Sequence, residues 1–368
     1  MKTKFASFLV AASFSTLAAC GGTETPVDQP KTGTTVADTP STAKPIPEGF
    51  TAITPVLVVS DVDKALAFYA EALGASTKLT LPGPEGKTAH AEMQIGDSII
   101  MLSAEDPITG AKSPTTLGGT NGSLLVYVED TDSATKTAVD AGATLVMPAA
   151  DMFWGDRYAG LVDPFGHMWG ISTHLEEVSA EEMATRGAAW VAAAQAGKQY
   201  KTPAVTTPAK SFRPEGYKSV TVTILLAGGA DDLSFYKTAL GAEVADEMPM
   251  PDGRLMHASL NVGGDVLHVS SEFPQMTPTH KAAVNLGGSP VGVYFYGEAV
   301  DDTHAAMTAA GAQTLANPAD VFWGDRWGLV TDPAGNRWGI ATHKEDLTSD
   351  EVISRMKKAM EGKTEAAK

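Results

Sequence analysis

The stretch FWGDRYAGLVDPFGHMWGISTH runs from Phe153 to His174, and FWGDRWGLVTDPAGNRWGIATH runs from Phe322 to His343. Each copy opens on a Trp-Gly-Asp-Arg turn, passes an Asp-Pro-x-Gly turn and closes on Thr-His. The copies lie 169 residues apart (153 to 322), and the same spacing carries Ala141-Gly142-Ala143 onto Ala310-Gly311-Ala312. Upstream the spacing is 167 (68 to 235): Phe68-Tyr69 becomes Phe235-Tyr236, Leu73-Gly74-Ala75 becomes Leu240-Gly241-Ala242, and His90 becomes His257. A repeat this long means duplicated domains, not a solenoid.

A weaker echo lies inside each half. DVDKALAFYAEALGA at Asp61 resembles DTDSATKTAVDAGA at Asp130. Both start at an aspartate suited to capping, carry apolar residues at helical spacing and stop at glycine. Strand patterns surround each helix, with Gly96-Asp97 placed for a hairpin turn. Each unit therefore reads strand, helix, strand, strand, strand, and the 368-residue chain holds four of them.

The formal net charge of −17 disfavours nucleic acid as a partner. Cys20 is the one cysteine, so the fold rests on its core and not on a disulfide. It ends MKTKFASFLVAASFSTLAAC, a basic start followed by a short apolar run. This opening resembles a bacterial lipoprotein signal: residues 1–19 would be removed and Cys20 lipidated, with the outer membrane facing the periplasm as the expected location. Residues 20–49 are rich in Gly, Thr and Pro and read as a flexible tether, spanning on the order of 30 Å.

Paired βαβββ units, an Asp-led first helix ending in LGA, and closing strands announced by DPFG at Asp163 and DPAG at Asp332 resemble the vicinal-oxygen-chelate superfamily, which includes glyoxalase I, bleomycin-resistance proteins and extradiol dioxygenases. The resemblance implies an α+β fold of two tandem domains (50–175 and 216–345), each of paired units forming a half-open barrel around a cavity. A helix and linker (176–215) join them, and a second helix and tail (346–368) follow.

The resemblance also locates the positions where metal-dependent relatives keep their ligands. The closing-strand carboxylate falls on Gly170 and Gly339, the first-strand histidine on Thr54 and Thr221, the fourth-strand acid on Met101 and His268, and the histidine opening the second unit near Ser123 and Gly292. A divalent ion wants three or four His, Cys, Asp or Glu donors. The expectation is no metal or other cofactor, with a cation left open for the second domain through His268.

Strand alternation then predicts the cavity walls. For the first domain these are Thr54, Val56, Met101, Ser103, Leu125, Tyr127, Met168 and Ser172; for the second, Thr221, Thr223, His268, Ser270, Tyr294, Tyr296 and Arg337. Trp169 and Trp338 fall on the helix side. Trp154 and Trp323 stand near the mouth, open to packing or to ligand stacking. Asp156-Arg157 and Asp325-Arg326 should point to opposite faces. His90 and His257 are candidates for acid–base work, while His280 and His304 read as surface residues.

Two function classes follow: a binding or sequestering module for small molecules, or a lyase, isomerase or dioxygenase acting in the second domain through His268, Tyr296 and Arg337. The partners are thus a small-molecule ligand, a membrane through the lipid at Cys20, and a homodimer mate as an open option.

Overall fold

The computed structural model describes residues 43–229, 232–275 and 277–366; Cys20, the expected signal segment and most of the expected tether lie outside them. The first unit comprises β1 (Ile53–Val59), α1 (Val62–Leu73), β2 (Ser76–Pro82), β3 (Thr88–Ile95) and β4 (Ser98–Ala104). A helical turn, α2 (Pro114–Leu117), leads to the second: β5 (Gly122–Tyr127), α3 (Thr131–Asp140), β6 (Thr144–Asp151), β7 (Asp156–Val162) and β8 (Met168–His174). After α4 (Ala180–Gln195) the third unit brings β9 (Val220–Leu226), α5 (Leu233–Leu240), β10 (Glu243–Pro249), β11 (Leu255–Val262) and β12 (Asp265–Ser271). The turn α6 (Ala283–Leu286) precedes the fourth: β13 (Val291–Tyr296), α7 (Val300–Ala309), β14 (Gln313–Asp320), β15 (Asp325–Thr331) and β16 (Arg337–His343); α8 (Ser349–Ala366) closes the chain's described part.

The strands form two eight-stranded sheets, each made of two βαβββ units, as expected. The choice of partners is the finding. One sheet runs β14-β15-β16-β13-β1-β4-β3-β2 and joins the first unit to the fourth; the other runs β10-β11-β12-β9-β5-β8-β7-β6 and joins the second to the third. The joins are antiparallel, with Thr54 opposite Tyr294 and Ser123 opposite Thr223. We call these the outer-unit sheet and the inner-unit sheet. Within each half the helices pack on each other, α1 against α3 and α5 against α7, and so join one sheet to the other.

The convex faces of both sheets and the helices share one apolar core, in which Leu57, Tyr69, Leu102, Ile171, Ile224, Tyr236 and Trp338 are fully buried. Each such side chain contributes roughly 1.5–3 kcal/mol through the surface it removes from water. Trp169 and Trp338 lie on this side, stacked against Tyr69 and Tyr236 at 5.4 and 5.8 Å. The Asp-Pro-x-Gly aspartates explain themselves here. Asp163 Oδ2 accepts from Tyr69 Oη (2.6 Å) and Trp169 Nε1 (3.1 Å), and Asp332 Oδ2 from Tyr236 Oη (2.7 Å) and Trp338 Nε1 (3.1 Å). Each buried carboxylate thereby ties the first helix of a half to that half's last strand.

Buried amides lock the junction between sheets. Asn121 Nδ2 donates to Val291 O and to Asn336 Oδ1, both at 2.8 Å, and its Oδ1 accepts from Val291 N at 2.8 Å. His280 is not a surface residue: its ring is largely enclosed, and burial lowers its pKa to about 4. His304 is half-buried and bonded to Thr314 Oγ1 at 3.1 Å.

The repeated Trp-Gly-Asp-Arg turn is a clamp. Gly155 and Gly324 both hold φ near +94°, and a Cβ there would fall 2.4 Å from Glu176 O and 2.6 Å from Glu345 O. Only glycine tolerates both demands. Their carbonyls accept from Glu176 N and Glu345 N, each at 3.0 Å. The clamp fixes the chain leaving each closing strand and so aims α4 and α8.

Candidate functional site

The concave face of the outer-unit sheet encloses a cavity of about 390 Å³. Its floor comes from Val56, Met101 and Ser103 of the first unit and from Gly292, Tyr294, Tyr296, Arg337 and Gly339 of the fourth. His90 and Glu92 on β3 stand 3.9 Å apart at one wall. Trp323 and Trp327, with centroids 5.7 Å apart, form another. Phe50 meets Tyr296 edge-on at 5.6 Å, and Val352 of α8 reaches the rim.

Asp325 organises the aromatic side. It is 2% exposed, and its Oδ2 accepts from Tyr294 Oη and Tyr296 Oη, both at 3.0 Å, and from Trp323 Nε1 at 3.2 Å. Its Oδ1 faces His343 Nδ1 at 2.9 Å, and that hydrogen bond raises the histidine's pKa. Burial, reinforced by the negative surroundings, pushes both tyrosine hydroxyls well above their ordinary range, so they are neutral donors. Arg326 points the other way, to Asp301 and Asp320, as alternation requires.

The inner-unit sheet carries the same frame. Asp156 accepts from Tyr127 Oη (3.1 Å) and Ser172 Oγ (2.8 Å) and faces His174 Nδ1 (2.8 Å). Its concave face is packed with the protein's own side chains. Tyr217, just before β9, meets Tyr127 edge-on at 5.7 Å and His268 at 5.6 Å, with its hydroxyl 3.1 Å from His268 Nε2. His257 stacks edge-on against His268 at 4.6 Å and bonds Ser259 Oγ at 3.0 Å. Tyr158 lies over Gly170, 5.8 Å from Trp154. Burial, then the neighbouring His257, holds the His268 pKa well below the usual imidazole value.

The predicted site residues therefore regroup. Met101, Ser103, Tyr294, Tyr296, Trp323 and Arg337 share the outer-unit cavity. His268, Ser270, Tyr127, Met168 and Ser172 stand in the other sheet, so the structure does not bring His268 together with Tyr296 and Arg337. Walls expected within a half are built across halves, because β1 hydrogen-bonds to β13 and β5 to β9. Thr54 is fully buried and outside the cavity wall. Thr221 borders a crevice of about 10 Å³ shared with Ile53 and Pro55. Trp154 packs between Phe153 and Tyr158.

Sequence reasoning did not gather Phe50, Glu92, Trp327, Asp325 and His343 into the site. Parity on β3 and β15 could have added Glu92 and Trp327. The end of the expected tether is also structural: Pro45 O accepts from His343 N at 3.0 Å, and Pro47 lines the cavity.

The glycines at the carboxylate positions do face the concave sides. A Cβ on Gly339 would come within 2.9 Å of the Tyr294 ring and 3.1 Å of Trp327 Nε1; on Gly170 it would come within 2.5 Å of the Tyr158 ring. Aromatic rings fill the space a ligating glutamate would need. The outer-unit sheet presents Thr54, Met101, Gly292 and Gly339 at the family's ligand positions, and the inner-unit sheet Thr221, His268, Ser123 and Gly170. These donors do not fit a divalent cation, and no cluster of three or more His, Cys, Asp or Glu suited to one occurs among the described residues.

Two paired βαβββ sheets around concave faces define a vicinal-oxygen-chelate architecture. The chain belongs to the Glyoxalase/Bleomycin resistance protein/Dioxygenase superfamily, whose family model matches residues 51–171 and 229–340. It is 41% identical over 135 residues to an uncharacterized protein of Mycobacterium bovis, an alignment covering 36% of this chain and 89% of that one. An uncharacterized protein of Mycobacterium tuberculosis matches with the same identity over 79% of its length and 36% of this chain. Among solved structures, glyoxalase I from Zea mays shares the fold with a TM-score of 0.51 and 14% identity, over 83% of this chain and 94% of that one.

Proposed function

We propose that this protein binds a small molecule in the one outer-unit cavity and does so without a metal ion. The observation that carries the reading is the contrast between two related concave faces: one encloses about 390 Å³, and the other is occupied by Tyr217, Tyr158, His257 and His268. The volume falls within the usual range for small-molecule sites, and the walls are aromatic with a few polar groups, as such sites require. Binding or sequestration is the activity proposed. The leader and Cys20 support a lipid-anchored protein at the outer membrane, facing the periplasm, with the segment after Cys20 as its spacer. The test is a titration of the purified protein with a panel of aromatic compounds, read by tryptophan fluorescence, beside Met101→Trp, which fills the floor. Saturable quenching abolished by Met101→Trp is expected; no saturable binding in either protein overturns the reading.

A second reading rests on His90. Its ring lies in the cavity wall with Glu92 3.9 Å away, a separation one water could bridge, and an imidazole there can give or accept a proton near neutral pH. This would suit a lyase or isomerase. Turnover of a bound compound that disappears in His90→Gln while binding persists supports it.

A further inference from the structure

Resting on the cavity reading, we infer that the ligand is a planar aromatic monocarboxylate whose carboxylate docks on Arg337. The half-buried guanidinium lines the cavity and gives one hydrogen bond, from Nη2 to Thr109 O. No carboxylate among the described residues lies within ion-pair distance of it. Asp106 acts on Arg337 through its charge but spends its oxygens on its own loop, as does Glu105. Asp106 accepts from Ile108 N (2.9 Å) and Thr109 Oγ1 (2.9 Å), and Glu105 from Ser113 N (2.8 Å) and Ser113 Oγ (2.6 Å). An arginine offers five donors in a fork matched to a carboxylate, so most of this one's capacity is unspent.

The strand register places that fork relative to the rings. Arg337 and Gly339 are successive cavity-facing residues of β16, and Gly339 is paired with Tyr294. Two residues of strand span about 7 Å, the reach of an aromatic ring plus its carboxylate. Tyr294 and Trp327 cover Gly339, so a ring with its carboxylate on Arg337 would pack against the cavity side of these two rings and of Tyr296, whose centroid is 4.9 Å from that of Tyr294. The cavity wall also carries five acids, Glu92, Glu105, Asp106, Asp325 and Glu345, and one further fixed cation, the exposed Lys78. A dianion such as a phosphate monoester would meet these acids with Arg337 and the exposed Lys78 to offset them; a single delocalised negative charge suits the one half-buried fork. The inner-unit sheet has Met168 where the outer one has Arg337, so the charge accompanies the open cavity.

The test compares 2-naphthoate with the isosteric neutral 2-naphthamide, by calorimetric titration of the whole mature chain. The acid should bind at least tenfold tighter than the amide. Arg337→Met should bring the acid down to the amide's affinity, and Arg337→Lys should restore part of the preference; melting curves establish that both variants fold. Equal affinity of acid and amide in the wild type, or an equal loss of both in Arg337→Met, overturns the carboxylate assignment and leaves the cavity reading standing. Failure of both probes to bind overturns the carboxylate assignment, and the panel titration then decides the cavity reading.

Discussion

The outer-unit and inner-unit sheets descend from one template and have diverged in what their concave faces hold. Both keep the aspartate–histidine pair at the closing seam, Asp325–His343 and Asp156–His174, at 2.9 and 2.8 Å. Both keep a glycine where an aromatic ring crosses the closing strand, Trp327 over Gly339 and Tyr158 over Gly170. The difference lies in a few substitutions on this constant frame. Met101, Arg337 and Tyr294 in one face become His268, Met168 and Leu125 in the other, and Phe50 becomes Tyr217, whose hydroxyl finds His268. A duplicated scaffold can thus keep one face for a ligand and turn the other into core.

The largest effect that sharpens this comparison comes from the shared aspartates. Asp325→Ala strips the partner from Tyr294, Tyr296, Trp323 and His343, and Asp156→Ala does the same to Tyr127, Ser172 and His174. Each should cost about 3–5 kcal/mol, since several buried polar groups lose their acceptor at once. Thermal melts should fall in both variants, but ligand affinity should collapse only in Asp325→Ala. Equal loss of binding in both would break the division of labour.

A smaller contrast concerns the helices over the two mouths. On α4, Arg186 pairs with Glu176 at 2.7 Å with both side chains buried, 3% and 2% exposed; the matching pair on α8, Arg355 with Glu345 at 2.7 Å, is 40% and 52% exposed. Arg186→Ala leaves a buried carboxylate unpaired and should destabilise the fold by about 3 kcal/mol. Arg355→Ala should barely move the melting temperature and should instead speed ligand release, because Val352 of α8 lies at the cavity rim. The Arg186 hydrogen bonds hold Glu176 down to about 2. A depressed carboxylate stabilises the fold above its unfolded value and loses that contribution as pH falls from about 4.5 towards 2. The acid limb of the stability curve should therefore flatten in Arg186→Ala.

The sequence carried the repeat, the βαβββ order and the facing of side chains. Parity alone sent Trp169 and Trp338 to the helices and Gly170 and Gly339 to the concave faces, because burying one side of a strand fixes both. It did not carry the partnering of units. β1, β5, β9 and β13 all present the same apolar edge, and no residue pattern says which edge meets which. Contacts distant in sequence decide it, such as Asn121 with Val291 and Asn336. That is why sequence alone groups His268 with Tyr296 and Arg337. Whether a face is open was equally illegible, since it turns on how Tyr217 and Tyr158 fill space after folding.

The smallest effect is also the most local. On the inner face, burial and the adjacent His257 lower the His268 pKa well below the usual value, so this ring is neutral in the fold. Such a group contributes fully above about 6.5 and loses its contribution as pH falls. At the outer seam the Asp325 bond raises His343, so its contribution is whole below about 6.5 and fades as pH rises through the higher folded value. His174 is raised too: desolvation is the largest single influence and lowers it, but the hydrogen bonds and charges of Asp156 and Glu177 together outweigh it, so the contrast belongs to the His257–His268 pair and not to the seams. Lowering pH from 7.5 to 5.5 should loosen the packing of Tyr217 on the inner face and firm the outer seam. Histidine ring shifts followed by NMR should show His343 still protonated above pH 6.5 and His268 neutral throughout, and His268→Met should erase the acid-side loosening. Near-normal titration of both rings would mean that the faces do not differ in the way their packing implies.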